Sequence, residues 1–167
     1  MMEQQSLSAV SKSEWIALLL FVLICFAAAG LGSVATSPEI PKWYAGLRKP
    51  SWTPPNWLFG PVWTALYFAM AIAAWLVWRR KGVEGGRTEL TLFALQLVLN
   101  TAWSFIFFKL HSLSWAFADI VALWIAIAAT LLAFAHTSTL SALLLAPYLA
   151  WVSYAAALNF AIWRMND

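Results

Sequence analysis

Charge is scarce in this chain: 10% of its 167 residues are Asp, Glu, Lys or Arg, while 63% are hydrophobic. A soluble domain carries about 25% charge, so a fully water-facing surface is excluded and the chain reads as an integral membrane protein. The single cysteine, Cys25, sits inside an apolar run and leaves no disulfide framework and no Cys-rich metal centre. The two histidines, His111 and His136, fall at opposite ends of one apolar segment, too far apart for a ligand pair or a shared acid–base couple. A phosphate-binding glycine loop, a nucleophile elbow and a paired carboxylate are all lacking, and no metal is expected. The net charge of +3 is small and lies between apolar runs, where Lys and Arg suit lipid headgroups rather than nucleic acid.

Aromatic rings are what the chain has in excess. They gather in Trp43–Tyr67, WYAGLRKPSWTPPNWLFGPVWTALY, where Trp43, Trp52, Trp57 and Trp63 stand among four prolines. Pro50, Pro54 and Pro55 fix φ and remove amide donors, so the segment is expected to be non-helical until about Trp57. A stiff lid at the lipid headgroup level follows, its indole N–H and phenol O–H groups free to meet polar partners. Pro61 falls near the first turn of the next helix, where a missing amide does little harm.

Five uncharged or nearly uncharged runs are each long enough to cross a bilayer core of roughly 30 Å. They predict an all-α membrane protein, a polar tail (1–13) followed by one five-helix transmembrane domain (14–165). The helices are placed at about 15–35, 58–79, 89–108, 113–136 and 139–164, with the lid at 36–57. Continuous apolar runs of this length exclude a transmembrane barrel, whose strands alternate. For the first run a secretory leader is the rival reading, since Ser33-Val34-Ala35 resembles a cleavage site, but its apolar stretch exceeds the usual h-region. An odd helix count puts the lid, the turn between the third and fourth helices and the C-terminus on one face. Lys and Arg divide evenly between the faces and set no orientation.

Small residues recur every fourth position at Ala65, Ala69, Ala73, at Ala118, Ala122, Ala126 and at Ser153, Ala157, Ala161. Such stripes permit close helix packing, within the bundle or across a homodimer seam. Polar groups inside the spans say more, because lipid tolerates them only when they face protein. Gln96, Asn100, Trp103 and Phe107 share one helical face, as do Tyr148, Trp151, Ala155 and Asn159, and Trp63, Tyr67 and Met70 share a third. Those faces can line one aromatic pocket under the lid, with Pro147 kinking the fifth helix and freeing a carbonyl for it. Taken singly, Gln96, Asn100 and Asn159 read equally as interhelical hydrogen-bond bridges. Asp119 is read as a lid-side ion pair with Arg48, Lys49 or Arg164, with a proton-relay acid as the alternative.

The runs WYAGLRKPSWTPPNW, FGPVWTALY, QLVLNTAWSFIFF, WAFAD and PYLAWVSYAAALN, in this order and spacing, resemble the translocator protein family, the tryptophan-rich sensory proteins. The likeness spans nearly everything from the first helix to Arg164. It implies a five-helix bundle, usually dimeric, that binds porphyrins such as protoporphyrin IX and haem, and sterol in eukaryotic members. By motif, Trp63 and Trp151 match tryptophans tied to porphyrin binding and breakdown, and are the candidate catalytic residues if there is turnover. Trp103, Ala155 and Asn100 match further pocket positions. Trp52, Tyr67, Tyr148 and Asn159 complete the expected ligand-binding set. One departure counts against sterol: Phe160 stands where sterol-recognising members have a tyrosine. The short tail, without an Arg-rich transit peptide, points to a bacterial cell membrane ahead of a plant member, with a mitochondrial outer-membrane address the alternative.

Three functions are therefore carried forward. A tetrapyrrole-binding sensor or transporter, with no obligatory cofactor and porphyrin or haem as ligand, follows from the pocket and lid. A light-dependent porphyrin-degrading enzyme follows from the resemblance alone. A structural membrane subunit needs only the small-residue stripes.

Overall fold

The computed structural model describes residues 11–167. Residues 1–10 of the expected polar tail lie outside the described residues, and the remainder of it, from Lys12, is already helix. Five long helices follow: α1 (Lys12–Thr36), α2 (Asn56–Gly85), α3 (Arg87–Phe108), α4 (Leu113–Thr137) and α5 (Thr139–Asn166). All five are long and apolar enough to cross a membrane, and the protein is an integral multi-pass membrane protein.

Each helix starts and stops for a local reason. Ser11 caps α1 by accepting from the Glu14 amide, while the Glu14 carboxylate accepts from the Ser11 amide, a reciprocal box. Ser138 caps α5 through the Ser141 amide. Gly82 takes φ 67, a left-handed value that breaks α2 near its end and turns the chain toward α3. The turn from α3 to α4 also uses a left-handed residue, but here it is His111 (φ 53).

Every helix packs chiefly on two others, in the cyclic order α1–α2–α5–α4–α3. Helices α1 and α3 pack closely at Gly32: a Cβ there would come within 3.1 Å of the Ser104 hydroxyl, which would have to shift to admit it. On the face away from the lid, α1 is tied to α2 twice. Arg79 pairs with the Glu14 carboxylate at 2.6 Å, and the Trp75 indole donates to the Glu14 carbonyl at 2.9 Å. Lys81 and Thr137 both donate to Glu89, joining α2, α3 and α4 on the same face.

The small-residue stripes divide between inside and outside. Ala73 and Ala126 are buried, whereas Ala65, Ala118, Ala122, Ser153 and Ala157 are exposed. Pro147 also departs from expectation: α5 runs through it unbroken, and the Leu143 carbonyl it frees belongs to a residue on the lipid-facing side. The expected contribution of that carbonyl to a pocket is therefore withdrawn, because Pro147 lies toward the N-terminal end of α5 and the cavity lies toward the other.

Candidate functional site

Between the lid and the lid-side halves of α1, α2, α3 and α5 lies a cavity of about 520 Å³, within the range of roughly 300–1,000 Å³ typical of small-molecule sites. Its wall is mostly ring and methyl. α2 supplies Trp63 and Tyr67, α3 supplies Asn100, Trp103 and Phe107, and α5 supplies Trp151, Ala155 and Asn159. Helix α1 adds Phe26, Ala29 and Gly32, the start of α2 adds Trp57, and the lid adds Ile40 and Tyr44.

The rings are held by each other. Trp63 lies 5.7 Å from Tyr67, Trp103 stacks on Phe107 at 5.0 Å, and Trp151 meets Phe59 edge-on at 5.8 Å. A hydrogen bond fixes one of them. The Trp103 indole donates to Asn159 at 3.0 Å, and the Asn159 amide donates to the Leu113 carbonyl at 3.0 Å, so one asparagine joins α3, α5 and the start of α4. Behind the wall the Asn100 amide donates to the Tyr148 hydroxyl, which donates in turn to Gln96. One donor is left over. The Trp151 Nε1 is buried and, among the described residues, has no hydrogen-bond partner.

The lid is fastened at three points. Arg48 and Asn166 exchange hydrogen bonds, backbone amide to side-chain oxygen at 2.9 Å and side-chain amide to backbone carbonyl at 2.8 Å. The Tyr154 hydroxyl donates to the Trp52 carbonyl at 2.7 Å. At the other end Glu39 lies 3.6 Å from Lys109 and 3.3 Å from His111. Within the lid, the Lys49 ammonium donates to the Tyr44 and Leu47 carbonyls, closing off a single π-helical turn at Ile40–Tyr44. Burial pushes the Tyr44 hydroxyl above its ordinary pKa, with Tyr154 adding to the effect, so the phenol stays neutral against the cavity.

Five helices cyclically packed around an aromatic cavity, roofed by a proline-rich lid, agree with a sequence comparison in which the TspO/MBR family model matches residues 21–164. The chain belongs to the TspO/MBR family. Among similar proteins are the human "Translocator protein", 42% identical over 154 residues and 91% of each chain, and the "Tryptophan-rich protein TspO" of Archaeoglobus fulgidus, 44% identical over 87% of this chain and 94% of the relative. The "Tryptophan-rich sensory protein" of Cereibacter sphaeroides is 38% identical over 92% of this chain and 93% of its own.

Within this TspO/MBR bundle, seven of the nine expected ligand-binding residues line the cavity: Trp63, Tyr67, Asn100, Trp103, Trp151, Ala155 and Asn159. Two do not. Trp52 is 45% exposed and packs edge-on against Tyr154 at 5.5 Å, so it anchors the lid from outside. Tyr148 is fully buried one layer behind the wall, where its hydroxyl serves Asn100 and Gln96. The bridging role weighed for Gln96, Asn100 and Asn159 is realised in all three, while Asn100 and Asn159 also reach the cavity.

Asp119 corrects another expectation. Among the described residues it forms no ion pair: Arg164 lies near Asp167, Lys49 serves lid carbonyls, and Asp119 Oδ2 is buried with no partner. The lid itself is partly helical before Trp57, through the Ile40–Tyr44 turn and Ala45–Gly46, because Pro41 sits at the start of that turn where it costs no bond. The sequence reading also missed α1 as a wall. Phe26, Ala29, Ser33 and Thr36 recur at helical spacing along it, but a helix apolar all round gives no contrast between a cavity face and a lipid face.

Proposed function

We propose that this protein is a membrane-embedded binding protein for tetrapyrroles such as protoporphyrin IX and haem, and for similar planar apolar ligands, acting as a sensor or transporter in porphyrin and stress regulation. The observation that carries this reading is a cavity of about 520 Å³ walled mostly by ring faces, with Asn100 and Asn159 among its few polar groups. Flat apolar walls favour a flat apolar ligand by stacking, and a few amides among them favour one with polar groups at its edge. The pocket is read as a site of binding rather than turnover, with no obligatory cofactor. Light-driven breakdown through Trp63 and Trp151 is the competing reading, favoured by the position of both indoles on the cavity wall. A homodimer is proposed on the family resemblance, with the exposed small residues Ala118 and Ala122 offering a face for close helix approach.

Titration of the purified protein with protoporphyrin IX in the dark, followed by illumination, tests the proposal. Saturable quenching at micromolar concentrations, retained in Trp63→Phe and Trp151→Phe with a loss of about 1 kcal/mol, supports stacking. Loss of the porphyrin bands on illumination in the wild type alone would favour the enzyme, because phenylalanine is far harder to oxidise than indole.

A further inference from the structure

The turn between α3 and α4 carries an ionisable cluster that neither the cavity wall nor the helix packing requires. The imidazole of His111 lies flat on the Trp43 indole, centroids 4.2 Å apart at 14°. Its Nε2 is 3.3 Å from a Glu39 carboxylate oxygen, and the other oxygen is 3.6 Å from the Lys109 ammonium. Both Trp43 and Glu39 belong to the lid, at the π-helical turn whose Ile40 and Tyr44 line the cavity. His111 pays for its place with a left-handed backbone (φ 53), a conformation few residues with a Cβ adopt. That strain aims the ring at the lid.

We propose that His111 is a proton-operated latch that fastens the Glu39–Tyr44 end of the lid over the cavity. Protonation strengthens both of its lid contacts at once: the carboxylate gains a full counter-charge, and the indole face gains a cation over its π system. Deprotonation leaves a neutral ring held by stacking and by a weaker hydrogen bond. The lid is therefore tighter when the ring is protonated and looser when it is neutral. The charged groups around the ring are, among the described residues, Glu39 from the lid, Lys109 from the end of α3, and Asp167 from the end of α5, which shares a polar cleft with His111 and lies 3.8 Å from Arg164. Lys109 lies against the other oxygen of the same carboxylate, at 3.6 Å. It sets a constant tie, on which His111 adds the variable one.

The other two lid fastenings do not involve that proton. Arg48–Asn166 and Trp52–Tyr154 tie the second half of the lid to α5 with backbone and neutral side-chain groups. The first half is therefore the part that moves with pH, hinged at the anchored second half.

Hydrogen exchange on the ligand-free full chain in lipid nanodiscs, at about pH 6 and pH 8, tests the latch without reference to any ligand. After correction for the intrinsic chemical rate, amides of residues 37–46 are expected to exchange about fivefold more slowly at the lower pH, equivalent to ~1 kcal/mol. Residues 48–53 should not change. His111→Phe should abolish the difference, Glu39→Gln should reduce it to the part that the Trp43 face supplies, and Lys109→Met should retain it. Glu39→Gln decides the matter if the left-handed backbone makes His111→Phe fold poorly. A wild type without the difference, or a Glu39→Gln variant that keeps it in full, overturns the proposal. The link to ligand rests on the proposed function and has its own readout: dark dissociation of protoporphyrin IX should slow at the lower pH in the wild type and markedly less in Glu39→Gln. Were exchange to respond as expected and dissociation not, the latch would stand and the reading of the cavity would fall.

Discussion

Asn100 on α3 donates to the Tyr148 hydroxyl on α5 at 2.8 Å, directly behind the cavity wall that Asn100 helps to form. The Tyr148 hydroxyl donates in turn to Gln96 Oε1 at 2.9 Å, so one phenol satisfies two amides in a buried layer. Tyr148→Phe keeps the ring and strips the hydroxyl, leaving both amides short of a partner. A loss of about 1–2 kcal/mol in stability is expected, since bonds between membrane helices are individually modest. Thermal unfolding in detergent measures it, and porphyrin affinity should change less than for a cavity-lining tryptophan.

Asp119 gives the opposite expectation. Removing one member of a buried ion pair costs about 3–5 kcal/mol, but Asp119 has no ion-pair partner and one buried, unbonded oxygen. Asp119→Asn should therefore leave the unfolding temperature unchanged or raise it. A marked drop would show that a cation reaches the carboxylate in the membrane.

The lid is held open or shut by few bonds, so its anchors should govern kinetics. Asn166→Ala removes both hydrogen bonds to Arg48, and Pro54→Ala with Pro55→Ala relaxes the backbone without touching a ring. Each should speed ligand dissociation more than it alters association, by about three- to tenfold, the usual division for a cover rather than a contact. Stopped-flow displacement of bound porphyrin reads both rates. Unaltered dissociation would mean that the ligand does not pass beneath this segment.

The membrane explains which parts of this molecule were legible in its sequence. Uncharged runs gave the five helices to within a few residues except at the end of α2, because lipid penalises charge whatever the fold; there a basic turn and a short helical piece beyond the Gly82 kink continue past the apolar run. The phase of Asn100, Trp103, Trp151, Ala155 and Asn159 was legible because amides in lipid must face protein. Phe26, Ala29 and Gly32 were not, since a helix facing lipid on one side and an apolar cavity on the other shows no amphipathic contrast. Trp52 was misplaced for a related reason: its richness in apolar surface says nothing about direction, and direction was set by the Tyr154 hydroxyl a hundred residues away. Asp119 misled because two of the basic residues weighed for it are engaged elsewhere, Lys49 on lid carbonyls and Arg164 beside Asp167.

The central claim is that ligand binds in the cavity between α2, α3 and α5, and Ala155 offers the most direct measurement. Ala155 lines that space, so Ala155→Leu places three extra carbons in it without touching an aromatic ring or a hydrogen bond. In dark titrations with protoporphyrin IX followed by tryptophan quenching, the wild type should saturate with a stoichiometry of one per chain. Ala155→Leu, shown by its unfolding temperature to be intact, should bind at least tenfold more weakly, ~1.4 kcal/mol. Equal affinity in the two proteins would put the ligand elsewhere and contradict the account.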